Sequence, residues 1–190
     1  EQTAGGLVVF GGGIPVHRVT PISPRDDGGR VILNLHGGAF MWGSGSGALV
    51  EAIPVAATSG LPVIAVDYRL APEHPFPAGL EDCIAAHDWL IANGPSGPGP
   101  ARATFIAGDS AGGGLTLGTL VALRDAGERL PAAAVCISPL ADLELAPLLR
   151  RQALAGTADH CAAQADLAAG DLLEAGDAAQ QGRLAAARGT

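Results

Sequence analysis

The chain has no lysine: all 11 of its basic residues are arginine. That absence removes Ser-Lys and Schiff-base mechanisms, both of which need a lysine amine. Against 19 acidic residues the formal net charge is -8, which opposes nonspecific attraction to nucleic acid or to an anionic membrane surface. Cysteine is scarce. Cys83, Cys136 and Cys161 show no C-x-x-C spacing, so neither a disulfide framework nor a zinc knuckle is suggested, and a reducing compartment fits. No run approaches the roughly 18 apolar residues of a membrane span, and no basic segment followed by an apolar one opens the chain, so a cytoplasmic location is expected. Residue 1 is Glu rather than Met, consistent with a trimmed terminus or a start inside a longer gene.

A second absence is local. The last 53 residues contain no Val, Ile, Phe, Tyr, Trp or Met, and all 20 Val and Ile stand at or before Ile137. Those are the residues that build buried strands. The expected division is therefore a core over 1–142 and an Ala/Leu-rich tail over 143–190, helical or disordered, that adds no further sheet.

What is present is 190 residues, 48% hydrophobic and 16% charged, enough for one folded domain with a sizeable core. Short apolar runs at 31–35, 63–66, 104–107 and 134–137 read as buried parallel strands. Between them, 48–59, 78–92 and 111–126 have helix length and pattern. The alternation predicts an α/β fold, a doubly wound, mostly parallel sheet with helices on both faces. Segments 7–10 and 16–22 flank a glycine triplet and predict an antiparallel edge, while the Pro/Gly stretch 93–100 reads as a loop inside the domain.

Chemistry concentrates at two strand ends. Gly108-Asp109-Ser110-Ala111-Gly112 follows a strand and opens a helix, the context a nucleophile elbow requires. A sharp strand-to-helix turn lifts the Ser110 oxygen clear of the backbone, Gly108 and Gly112 leave room, and the helix N-terminus favours developing negative charge. Alone, G-x-S-x-G is a weak match, since any glycine-rich turn of a doubly wound fold can hold a serine. The earlier His36-Gly37-Gly38-Ala39, also at a strand end, adds a loop whose N–H groups can converge on an oxyanion.

These two motifs, with Asp67-Tyr68-Arg69-Leu70-Ala71-Pro72-Glu73-His74-Pro75-Phe76-Pro77-Ala78 between them, resemble the hormone-sensitive-lipase-like esterases (bacterial family IV) of the α/β-hydrolase fold. The resemblance runs from about residue 16 to about residue 142. It implies that Ser110 is the nucleophile and that the backbone N–H groups of Gly38, Ala39 and Ala111 form the oxyanion hole, with His36, Gly37, Gly108, Asp109 and Gly112 in support. The family more often has a third Gly at the position of Ala39; a backbone donor there serves equally unless its φ must be positive. His36 is read as orienting backbone, and Asp109 as a hydrogen-bonding support rather than the triad acid. His74, Arg69 and Glu73 are read as scaffold, the last two ion-paired, and His17 and His87 as surface residues. Trp42, Phe40 and Phe76 are read as either acyl-pocket lining or core.

The resemblance also implies a triad Asp and His after later strands, and this chain lacks identifiable candidates. The C-terminal strands of the fold are expected to be missing, and the change near residue 142 suggests a truncated or frameshifted reading of a longer esterase gene. The one histidine after Ser110 is His160, a base only if the tail folds back; read more simply, it is an exposed tail residue. The expected function is carboxylic ester hydrolysis on small or short-acyl esters through a serine acyl-enzyme, impaired in this chain, with no metal or cofactor. The alternatives are a non-catalytic esterase-like binding protein and an inactive fragment. The expected partner is a small-molecule ester, with self-association through an exposed sheet edge.

Overall fold

A computed structural model of the protein describes residues 3–9, 13–21, 27–95 and 99–141. The elements run β1 (Thr3–Val9), β2 (Pro15–Pro21), β3 (Arg30–Leu35), a 3-10 turn (Gly45–Ala48), α1 (Leu49–Ser59), β4 (Val63–Val66), α2 (Ala78–Asn93), β5 (Ala103–Asp109), α3 (Ser110–Ala126) and β6 (Ala133–Ile137). They form one sheet in the order β1-β2-β4-β3-β5-β6. The first two pairings, β1 with β2 and β2 with β4, are antiparallel, and the remaining three are parallel.

The residue types explain the layering. All of β4 and all but the first residue of β3 are buried, as their unbroken apolar runs require of strands covered on both faces. One face packs Val16, Leu33, Leu35 and Ile106 against Cys83, Ala86 and Leu90 of α2 and Leu115 of α3. The other packs Val19, Ile32, Val63 and Ala65 against Ala52 and Ala56, small residues that bring α1 close to the sheet. Helices α1 and α3 each stop at a glycine in left-handed conformation, Gly60 and Gly127.

The expected antiparallel edge is present, but β1 begins at Thr3, through a Gly5-Gly6 pair that propensity alone would keep out of a strand. The expected helix over 48–59 is α1, which starts one residue later because Ala48 closes the preceding 3-10 turn. His87 is not a surface residue: it is fully buried, and its Nε2 lies 3.1 Å from Thr104 Oγ1. It occupies the same stripe of α2 as Cys83 and Leu90, one helical turn away on either side, so helical period rather than polarity placed it. His17 is likewise half-buried, 3.8 Å from the Asp67 carboxylate. The expected tail, with Cys161 and His160, and the expectation of missing C-terminal strands lie outside the described residues.

Candidate active site

Chain direction reverses sharply where β5 meets α3. Asp109 is still extended, with φ -110 and ψ 152, and the next residue, Ser110, has φ 47. A left-handed non-glycine residue costs on the order of 1–3 kcal/mol and persists where its surroundings over-determine it. Those surroundings are tight. A Cβ on Gly108 would strike the Gly112 carbonyl, and one on Gly112 would strike the carbonyl of Leu35 and lie 2.7 Å from that of His36. The first turn of α3 is thus wedged against the end of β3, and only glycine allows that approach. From the other side Leu140 donates its N–H to the Ser110 carbonyl at 2.8 Å.

Strands β3 and β5 are neighbours in register, Leu35 opposite Gly108, so the residues after each strand emerge side by side. After β3 the chain turns through Gly38 (φ 125), Ala39 (φ 52) and Phe40 (φ 63), three successive residues at positive φ. The Gly38 carbonyl accepts N–H groups from Met41 at 2.9 Å and Trp42 at 3.1 Å, which closes the turn. The condition attached to Ala39 is met: its φ is positive, so alanine there bears strain that glycine would not.

His36 is buried, with Nδ1 2.7 Å from the Gly37 carbonyl and its ring stacked on Tyr68 at a centroid distance of 4.2 Å. Facing a carbonyl, Nδ1 must carry the proton. Burial pushes this imidazole below its ordinary value, against the raising effect of the Gly37 carbonyl. The Tyr68 hydroxyl donates to the His36 carbonyl at 2.6 Å, and burial pushes that hydroxyl well above the usual tyrosine range. Asp67 accepts the Gly45 N–H at 2.8 Å, and Ala71 donates to the Phe40 carbonyl at 2.8 Å. The segment after β4 therefore ties the glycine loop down along its length. Arg69 pairs with Asp82 at 2.9 Å and Glu81 at 3.2 Å. Glu73, expected to be ion-paired, makes no ion pair among the described residues: it is exposed in the turn, and α2 supplies both of the arginine's partners.

The register of β3 with β5 and the contact of Gly112 with the Leu35 and His36 carbonyls bring the first turn of α3 against the start of the glycine loop. None of the four described histidines hydrogen-bonds the Ser110 hydroxyl: His36 is committed to Gly37, His17 faces Asp67, His87 faces Thr104, and His74 is exposed in the turn. His160 and Asp142 lie outside the described residues. Trp42 is 59% exposed, whereas Phe40 packs partly on the core and Phe76 is half-buried. Sequence reasoning did not single out Asn34. Asn34 is buried in the middle of an apolar strand, and a polar residue inside such a run was the available signal.

A strand-elbow-helix serine beside a glycine loop on a mostly parallel sheet defines the α/β-hydrolase class of protein. The pattern of the alpha/beta hydrolase fold family matches residues 32–183, running past the compositional break at 142. An acetyl-hydrolase from Streptomyces hygroscopicus is 48% identical over 122 residues, covering 64% of this chain and 40% of that protein. The crystal structure of an esterase from the bacterial hormone-sensitive lipase family superposes with a TM-score of 0.68 at 38% identity, covering 90% of this chain and 56% of that one. Another crystal structure, of EstE5 soaked with p-nitrophenyl butyrate, gives 0.67 at 34% identity, covering 86% and 54%. The chain belongs to the alpha/beta hydrolase fold family, and it spans about 40% of the length of the curated relatives it matches.

Proposed function

We propose that this chain carries the nucleophile and oxyanion machinery of a carboxylic ester hydrolase acting on small or short-acyl esters. The observation that carries the reading is Ser110 at φ 47 on the β5-α3 elbow, beside the Gly38-Ala39 turn. In this reading Ser110 Oγ attacks the ester carbonyl carbon while its proton passes to a base, and the oxyanion is held by the N–H groups of Gly38, Ala39 and Ala111. Collapse of the tetrahedral intermediate expels the alcohol, and water then attacks the acyl-enzyme to release the acid. Asp109 and His36 support the loop without touching substrate. The free thiols Cys83 and Cys136 favour a reducing, cytoplasmic setting.

The test is release of p-nitrophenol from p-nitrophenyl butyrate by the purified chain, run beside Ser110→Ala and His160→Ala. Hydrolysis abolished by Ser110→Ala supports the reading. Turnover that survives Ser110→Ala sinks it. A serine hydroxyl without a base to take its proton is a weak nucleophile, so weak Ser110-dependent turnover is the expectation if His160→Ala has no effect. If His160→Ala also abolishes it, His160 is the base.

A further inference from the structure

His17 stands on β2, separated from β3 and its glycine loop by β4, and belongs to neither motif. Its register places it opposite Ala65, and Asp67, two residues beyond, donates its N–H to the Pro15 carbonyl at 3.0 Å. His17 and Asp67 are thus diagonal neighbours on one face of the sheet, the face of Val19 and Ala65 that α1 covers. Nε2 of His17 lies 3.8 Å from Oδ2 of Asp67, and the two side chains are 15% and 19% exposed. That nitrogen is buried and has no hydrogen-bond partner among the described residues, so the carboxylate is the charge it faces. A lone pair there would repel the carboxylate oxygen, so the proton belongs on Nε2. At this distance the attraction acts across a gap and is not a hydrogen bond.

The other oxygen of the same carboxylate, Oδ1, accepts the Gly45 N–H at 2.8 Å. Two residues earlier Gly43 presses on the start of the loop: a Cβ there would strike the Gly37 carbonyl and lie 2.6 Å from His36 Nδ1. Residues 37–47 include five glycines, so this stretch has much conformational freedom to lose and depends on the bonds that pin it. We infer that His17 is a positioning residue for the oxyanion loop: from β2 it holds the Asp67 carboxylate in the orientation that pins Gly45, and the Gly43 contact passes that constraint to Gly37, Gly38 and Ala39. Its consequence for acyl transfer rests on the esterase reading above; its effect on the loop does not. Without His17 the partly exposed carboxylate is free to turn towards water and release the amide, because the terminal torsion of an aspartate is soft.

The experiment measures hydrogen exchange at the Gly45 amide and the NMR shifts of the Gly37, Gly38 and Ala39 amides in wild type, His17→Leu, His17→Gln, Asp67→Asn and the double variant, with hydrolysis of p-nitrophenyl butyrate measured on the same proteins. His17→Leu is expected to speed exchange at Gly45 about fivefold and to shift the three loop amides, while amides in the middle of α3 keep their wild-type rates. His17→Gln, which keeps a donor towards Asp67, should restore wild-type behaviour. Asp67→Asn leaves Gly45 an acceptor and removes the charge that His17 faces, so adding His17→Leu to it should change exchange no further. In hydrolysis His17→Leu should lower kcat about tenfold and leave KM within about twofold of wild type, because a displaced donor is missed chiefly by the oxyanion. Should His17→Leu not fold, His17→Asn, polar but too short to reach Oδ2, takes its place with the same expectations. Unchanged exchange at Gly45, no recovery in His17→Gln, a further rise in the double variant, or an acceleration shared by α3 would each overturn the inference, even when Ser110-dependent hydrolysis is present. Amides that behave as expected without Ser110-dependent hydrolysis uphold it and remove the esterase reading instead.

Discussion

Ala39 shows how a single residue sets the cost of a site. Its φ of 52 places a Cβ where L-residues crowd the following carbonyl, at about 1–2 kcal/mol. Glycine removes that strain and gives back about 0.5–1 kcal/mol as entropy of the unfolded chain. Ala39→Gly is therefore expected to stabilise the protein by about 1 kcal/mol, a rise in Tm of about 2–4 °C in a thermal melt. A fall in Tm would mean that the alanine methyl makes contacts worth more than the strain it causes. Ser110 has the same backbone sign but no such remedy, because its side chain is the functional group. The identities of both residues were legible in the motifs. Their backbone angles were not, since φ is decided by what packs around the turn.

Between elements, the clasp from the segment after β4 to the start of α2 is the clearest case. Asp82 is buried, accepts the Arg69 backbone N–H at 2.8 Å and takes Nε at 3.0 Å. Arg69 itself keeps much of its hydration, at 43% side-chain exposure, so the part-buried amide bond carries most of the value. Asp82→Ala is expected to cost about 2–3 kcal/mol in urea unfolding, and Asp82→Asn, which keeps an acceptor for the amide, about half that. Equal losses in the two variants would show that the charge, not the backbone bond, dominates. The sequence pointed to Arg69 as scaffold but to Glu73 as its partner. Glu73 is four residues away along the chain and Asp82 thirteen, and the fold of the turn, not proximity in sequence, chose between them. Strand positions were more readable, because a strand buried on both faces must be apolar throughout. The Thr3–Val9 strand shows the limit of that signal: its glycines are held by pairing with β2.

At the scale of the whole molecule, buried titratable groups pull stability in opposite directions with pH. Burial lowers His36 and His87, so below their ordinary value of 6.5 the unfolded chain takes up protons that the folded one refuses. Their contribution is present above that pH and is lost as the medium becomes acid. Glu51 is raised, so the folded chain keeps a proton that the unfolded chain gives up above 4.5, and stability falls from there to about 7. Its partial exposure reduces that contribution to about 1–2 kcal/mol. Denaturation midpoints taken across this range should show a shallower acid loss in His87→Leu than in wild type. Parallel curves would assign the acid sensitivity to His36 alone.

By itself the sequence determined the α/β alternation, the mostly parallel sheet and the two motifs that end β3 and β5, because these depend on local pattern: unbroken apolar runs, helical period and glycines at strand ends. Only the tertiary structure decided that the two motifs stand side by side, through the Leu35–Gly108 register, and which carbonyl, that of Gly37, His36 holds. It alone buried His87 against Thr104 and set the Asp109 carboxylate against Gly37. Those outcomes depend on which strand lies next to which and which helix covers which face, and no window along the chain holds residues from both sides of such a contact.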